Sequence, residues 1–119
     1  MAEEKDIVNA IVEGIQDKKG KRITVVDLTK LQDAPCEYFV ICEGDSNTQV
    51  NAIADSVKDV VRERVGEKPV AVDGLDNCVW VAMDYMQIIV HIFMRDTRTF
   101  YDIEHLWSDA NLTDIPDMD

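Results

Sequence analysis

The stretch from Trp80 to Trp107, WVAMDYMQIIVHIFMRDTRTFYDIEHLW, constrains the fold more than any other part of the chain. Side chains alternate across an extended strand. Trp80, Ala82 and Asp84 therefore oppose Val81 and Met83. After a tight turn over Tyr85–Gln87, Ile89, His91 and Phe93 oppose Ile88, Val90 and Ile92. Two strands joined by so short a turn must be antiparallel. Each has one aliphatic side and one side carrying aromatic and polar groups, so the sheet they belong to has two unlike faces.

The rest of the chain supplies the partners for that sheet. Ile7, Val8, Ile11, Val12 and Ile15 recur at helical spacing over residues 3–18, with acids in the first turn and Gly20 as a stop. RITVVDL (22–28) and EYFVICE (37–43) are strands separated by a turn containing Pro35. Asp45 or Ser46 caps a long helix to about Val65, closed by Gly66. Its apolar side carries Val50, Ile53, Ala54, Val57, Val60, Val61 and Val65. Valines are mediocre helix formers, so packing must hold this helix more than propensity does. A short strand follows at 70–73, then a turn at 74–77. The strand pair comes next, and then a helix from about Thr99 to Trp107 with Phe100, Ile103, Leu106 and Trp107 on one side. The order αββαβββα predicts an α/β fold, a two-layer sandwich with a mixed five-stranded sheet. Residues 1–108 form one domain, and 109–119, with its aspartates and a proline, reads as a flexible acidic tail.

In the second strand, Phe39 and Ile41 oppose Tyr38, Val40 and Cys42. Phe39 and Ile41 join the aliphatic set under the helices, and Tyr38 joins the mixed set. That mixed face either stays open as an interface or is buried by the terminal helix.

Charge narrows the function. Acidic residues outnumber basic ones 24 to 12, a net charge of −12. Such a chain repels phosphate backbones, which excludes a free-standing DNA binder. It suits a basic protein partner instead. No apolar run approaches the roughly 20 residues that cross a bilayer, and no basic start precedes an apolar stretch, so neither a membrane partner nor secretion is expected, and the chain is expected in the cytoplasm. Cys36, Cys42 and Cys78 lack CxxC spacing and are expected as free thiols.

Catalysis has few candidates. Glu43 and Asp45, where the second strand meets the long helix, are the carboxylates a metal-dependent nucleotidyltransferase would use on Mg²⁺. The only later D-x-D is Asp117-Met118-Asp119, in the tail. The plainer reading is a helix cap beside a surface glutamate. His91 and His105 have no Ser or Cys at a nucleophile motif nearby, and no glycine-rich phosphate loop or HExxH occurs. The chain is expected to be no enzyme and to use no cofactor or metal.

Taken in order, the motifs are Glu37-Tyr38-Phe39-Val40-Ile41, Gly44-Asp45-Ser46-Asn47, Ala52-Ile53-Ala54-Asp55, Asp73-Gly74, Trp80-Val81, Asp84-Tyr85, Val90-His91-Ile92-Phe93 and Arg98-Thr99-Phe100-Tyr101-Asp102-Ile103-Glu104-His105-Leu106-Trp107. This set resembles the ribosomal silencing factor family, also called Iojap-like, over about residues 5–110. Two positions depart from the family pattern. Met86 and Gln87 stand where Gly, often with Asp, usually follows the Asp-Tyr pair, and Glu37 replaces Asp. The resemblance implies a nucleotidyltransferase-like fold without catalytic carboxylates. It also implies binding to the large ribosomal subunit through its protein L-fourteen, blocking association with the small subunit and repressing translation when nutrients are scarce. Contact with rRNA is expected to be minor. The residues expected to carry binding are Tyr38, Trp80, Asp84, Tyr85, His91, Phe93, Arg98, Tyr101 and Trp107. A homodimer paired through the open sheet face remains the other non-enzymatic reading.

Overall fold

The two long helices form where apolar side chains repeat at 3.6-residue spacing, and both lie on the same side of one sheet. A computed structural model describes residues 3–107 and 109–118. Helix α1 (Glu4–Asp17) buries Ile7, Ala10, Ile11 and Ile15. Helix α2 (Asn47–Val65) buries Val50, Ile53, Ala54, Val57 and Val61. Ser46 caps α2 by accepting the Gln49 N–H at 3.0 Å, and Gly66 ends it at φ 73°, where a Cβ would be strained. The helices touch at Gly14. A Cβ there would lie 2.8 Å from Val57 Cα, and Ser56 Oγ donates to the Gly14 carbonyl at 2.8 Å.

The strands are β1 (Lys21–Asp27), β2 (Tyr38–Gly44), β3 (Ala71–Asp73), β4 (Trp80–Asp84), β5 (Ile88–Met94) and β6 (Asn111–Ile115), in the sheet order β3-β4-β5-β2-β1-β6. β2 and β5 run parallel and every other neighbouring pair is antiparallel. The sheet is mixed, as expected, but has six strands instead of five. The sixth is the segment expected to be a flexible acidic tail. Asn111–Ile115 pairs residue by residue with Asp27–Ile23 of β1. Backbone pairing to an open edge holds this strand, and four of its five side chains are exposed. Apolar periodicity is blind to a strand of that kind.

The helix-side core runs from Ile7, Ile11 and Ile15 through Val40 and Cys42 to Val81, Met83, Ile88, Val90 and Ile92. The aliphatic faces of β4 and β5 are therefore where alternation put them. Strand β2 is turned the other way. Val40 and Cys42 face the helices, with Tyr38 packed against that core, while Phe39 and Ile41 belong to the opposite cluster. Register explains the correction. In the parallel pairing Phe39 lies beside Ile89 and Ile41 beside His91, and in-register neighbours share a face. A single strand read alone cannot reveal which of its sides faces the helices.

The second face has its own buried cluster of Val26, Leu28, Phe39, Ile41, Phe93 and Ile103. Leu31, Ala34 and Cys36 of the β1–β2 loop and Trp107 partly cover it. Helix α3 (Arg95–Tyr101) begins four residues earlier than periodicity suggests. It stops at Asp102, which sits at φ 46°, and a single 3₁₀ turn follows at Ile103–His105. Asp is one of the few residues that tolerate this left-handed geometry. Met86 also has positive φ, 76°, in the β4–β5 turn, at the position where the family pattern has Gly. Asp84 Oδ1 accepts its N–H at 2.7 Å and helps hold the turn. Among the described residues no helix is long and apolar enough to cross a membrane, and the three cysteines are free thiols.

Candidate interaction surface

Trp80 lies on the second face because its strand parity points it away from the helices, next to Phe93 on β5. The Trp80 and Phe93 rings stack with centroids 4.9 Å apart, and Tyr101 of α3 lies 4.8 Å from Trp80 on another side. The indole Nε1–H donates to His91 Nδ1 at 3.0 Å. Phe39 meets the same imidazole edge-on at 4.8 Å. Burial pushes the His91 pKa down to about 4, so the ring is neutral at neutral pH. With Nδ1 accepting, the proton is on Nε2, a buried atom with no partner among the described residues. His91 and Phe93 are thus the packed floor of the surface, and Trp80 is half-buried above them.

The rim of the surface is apolar and exposed. The left-handed Asp102 turns the chain between Tyr101 and Ile103, so Ile103 is buried while Phe100 is 80% exposed, Leu106 68% and Tyr101 49%. Phe100 and Tyr101 meet edge to face at 5.0 Å. An uninterrupted helix was expected to put Phe100, Ile103, Leu106 and Trp107 on one side. The break separates them, burying Ile103 and leaving Phe100 and Leu106 exposed, two residues not among those expected to carry binding. Asp within F-Y-D-I was the available signal. Trp107 is half-buried against the second cluster, and its buried Nε1–H has no acceptor among the described residues.

Not every expected residue reaches this surface. Asp84 is half-buried at the far end of β4, four residues from Trp80, roughly 13 Å along the strand. Tyr85 is buried within the helix-side core, with its pKa raised to about 12 by desolvation. Tyr38 packs against that same core from its edge. Arg98 is only 2% exposed.

Arg98 instead completes a buried ionic network. Its Nε and Nη2 fork onto Glu104, the shorter contact being 2.7 Å. Nη2 also donates to Thr24 Oγ1 at 3.1 Å, and Nη1 donates to the Arg22 carbonyl and to Glu43 at 3.4 Å. Glu43, 1% exposed, also receives Arg22 at 3.3 Å and Arg95 at 3.1 Å. Arg95 pairs with Asp45 as well. These contacts correct the reading of Glu43 as either a surface glutamate or a metal ligand. Three guanidinium groups already satisfy its carboxylate, and their charge repels a divalent cation. Among the described residues no group of three or more His, Cys, Asp or Glu is arranged to hold a metal ion. Asp117 spends one oxygen on the Arg22 N–H at 2.8 Å, and Asp119 lies outside the described residues. His105 pairs with Asp102 at the surface.

The comparisons with known proteins agree with this architecture. The family model described as "ribosomal silencing factor during starvation" matches residues 1–119. A ribosomal silencing factor of Bacillus subtilis is 35% identical over 112 residues, covering 94% of this chain and 93% of that protein. A crystal structure of a Chromobacterium violaceum protein superposes with a TM-score of 0.83 at 34% identity, covering 90% of this chain and 88% of that one. The chloroplast protein Iojap of Zea mays is 30% identical over 79 residues, 66% of this chain and 34% of its own length. The chain belongs to the ribosomal silencing factor family.

Proposed function

We propose that the protein binds the large ribosomal subunit through its protein L-fourteen and, by occupying that surface, blocks association with the small subunit. Translation would fall as a result when nutrients are scarce. The mechanism is occlusion and needs no chemistry. It places the protein in the cytoplasm with the ribosomes.

One observation carries the reading beyond family membership. Phe100, Tyr101 and Leu106 are exposed and Trp80 is half-buried against Tyr101, while the chain as a whole carries a charge of −12. Aromatic side chains are enriched among interface anchors. A net acidic chain steers a basic protein into contact and discourages phosphate backbones. The dismantled metal reading at Glu43 and Asp45 removes the support for a nucleotidyltransferase activity.

Sucrose-gradient profiles of purified ribosomal subunits test the proposal. Added protein should shift material from joined ribosomes to free subunits and co-sediment with the large subunit. An unchanged profile at excess protein overturns it. A pull-down from lysate then asks whether L-fourteen cross-links to the bait at Trp80 and Phe100.

A further inference from the structure

The far edge of the sheet has properties that the aromatic surface does not explain. Strand β6 is the terminal strand of the sheet order, and among the described residues none pairs with its outer side. Alternate backbone N–H and C=O groups therefore point outward along Asn111–Ile115, a ready template for another strand. A cleft of about 410 Å³ runs beside it, with Thr24, Leu112 and Asp114 along it and Glu104 and His105 on the 3₁₀ turn. The opposite edge strand, β3, has three residues.

Charge selects what can pair there. Asp114 accepts the Thr24 hydroxyl at 2.9 Å and Asp117 the Arg22 N–H at 2.8 Å. Both donors are neutral, so neither bond sets a positive charge against a carboxylate, and Asp109 is exposed just before the strand. Of the nearby cations, the two arginines are paired with acids, and the one lysine is outnumbered by the three aspartates. Arg98 and Arg22 go to buried glutamates, and Lys21 Nζ donates to the Met118 carbonyl. A second copy of this chain would bring its own Asp109, Asp114 and Asp117 to the same edge, and like charges crowded across a strand pair repel.

We propose that the outer edge of β6 docks a basic, extended peptide segment of a partner protein, which adds to the sheet as a seventh strand. The register of β6 on β1 puts Leu112 and Asp114 on the face away from the helices, beside Val26 and Thr24. Thr113 and Ile115 are on the helix face, where Ile115 packs against the core. The incoming strand therefore carries Lys or Arg opposite Asp114 and aliphatic residues opposite Leu112 and Ile115. Backbone pairing supplies attraction, and the Asp114 contact supplies selectivity.

The test is an NMR titration of the full chain with a peptide bearing Val-Lys-Thr-Val-Lys between flanking lysines, alongside its counterpart with Glu for every Lys. The basic peptide should perturb and protect amides of Asn111–Ile115, and the acidic one should not bind. Asp114→Lys should weaken binding about ten-fold or more. Asp114→Asn, which keeps an acceptor for Thr24, should give a smaller loss and covers the case in which the lysine variant detaches the strand. Absence of binding by the basic peptide at millimolar concentration overturns the proposal. So do shifts centred on Phe100 and Tyr101, or equal binding of both peptides. The measurement involves no ribosome, so its outcome is independent of the subunit-association reading.

Discussion

Replacing Arg98 with Ala removes the only cation bonded to Glu104 among the described residues, together with one of three bonded to Glu43. Both carboxylates are buried, so they are not re-solvated when the guanidinium leaves. Glu43 keeps Arg22 and Arg95, and the uncompensated charge is that of Glu104. Breaking a buried pair from one side costs about 3–5 kcal/mol. For 119 residues the unfolding entropy is roughly 0.25 kcal/mol/K, so the melting temperature should fall by about 12–20 °C. Arg98→Lys keeps the charge but cannot fork onto Glu104 and reach Thr24 together, so it should fall between Ala and wild type. Adding Glu104→Gln should rescue part of the Arg98→Ala loss, because it removes the orphaned charge. Thermal unfolding by circular dichroism reads all of these. A drop below about 4 °C for Arg98→Ala, or no rescue in the double mutant, would show the network to be energetically idle and the reasoning wrong.

Three further outcomes follow from particular contacts. The His91 pKa is lowered from 6.5 to about 4, so as pH falls below 6.5 the unfolded chain takes up a proton that the folded protein refuses. Stability should therefore decline with falling pH by up to about 1.4 kcal/mol per unit and level off near pH 4; His91→Gln should lose that slope between pH 6.5 and 5 in denaturant titrations. Gly14→Ala gains about 1 kcal/mol of helix propensity but drives a Cβ to 2.8 Å from Val57 Cα, so the net change should be a destabilisation of about 1–2 kcal/mol, read from the urea midpoint. Phe100→Ala should leave the melting temperature within about 2 °C and weaken large-subunit binding roughly thirty-fold, about 2 kcal/mol, by sedimentation; undiminished affinity would remove α3 from the interface.

Much of the fold was legible because it follows period and punctuation. The α1 and α2 stripes, the Ser46 and Gly66 caps, and the two-faced β4–β5 hairpin are all local signals, and all are present. What failed depended on information outside the segment. The side on which Phe39 falls is set by pairing with Ile89 across a parallel crossover. Strand β6 exists because β1 offers it an edge, not because its own side chains are apolar. Tyr38, Tyr85 and Arg98 belong to the matched motifs, yet a motif does not say whether its residues touch a partner or hold the fold. Arg98 was the least legible. An arginine in a polar, helical stretch gives no hint of being nine-tenths buried, and two of the partners that bury it, Glu43 and Thr24, are 55 and 74 positions away.

The buried network and the exposed surface are two consequences of one break in the chain. Arg98 lies before the left-handed Asp102 and Glu104 after it, so their forked pair spans the break and fixes its angle. The Asp102 N–H donates back to the Arg98 carbonyl at 2.8 Å, closing the last turn of α3 over the same residue. An unbroken helix would carry Phe100, Ile103 and Leu106 along one side and sink them together. Instead Ile103 is drawn into the second cluster while Phe100 and Leu106 are held out in water. Burying an arginine and two glutamates is an expensive way to stabilise a small domain, since apolar residues of similar volume often do as well or better. The network gains a reason if what it secures is the geometry of the turn. Arg98 then serves binding without touching the partner, by holding the residues on either side of it in a conformation their own hydrophobicity opposes.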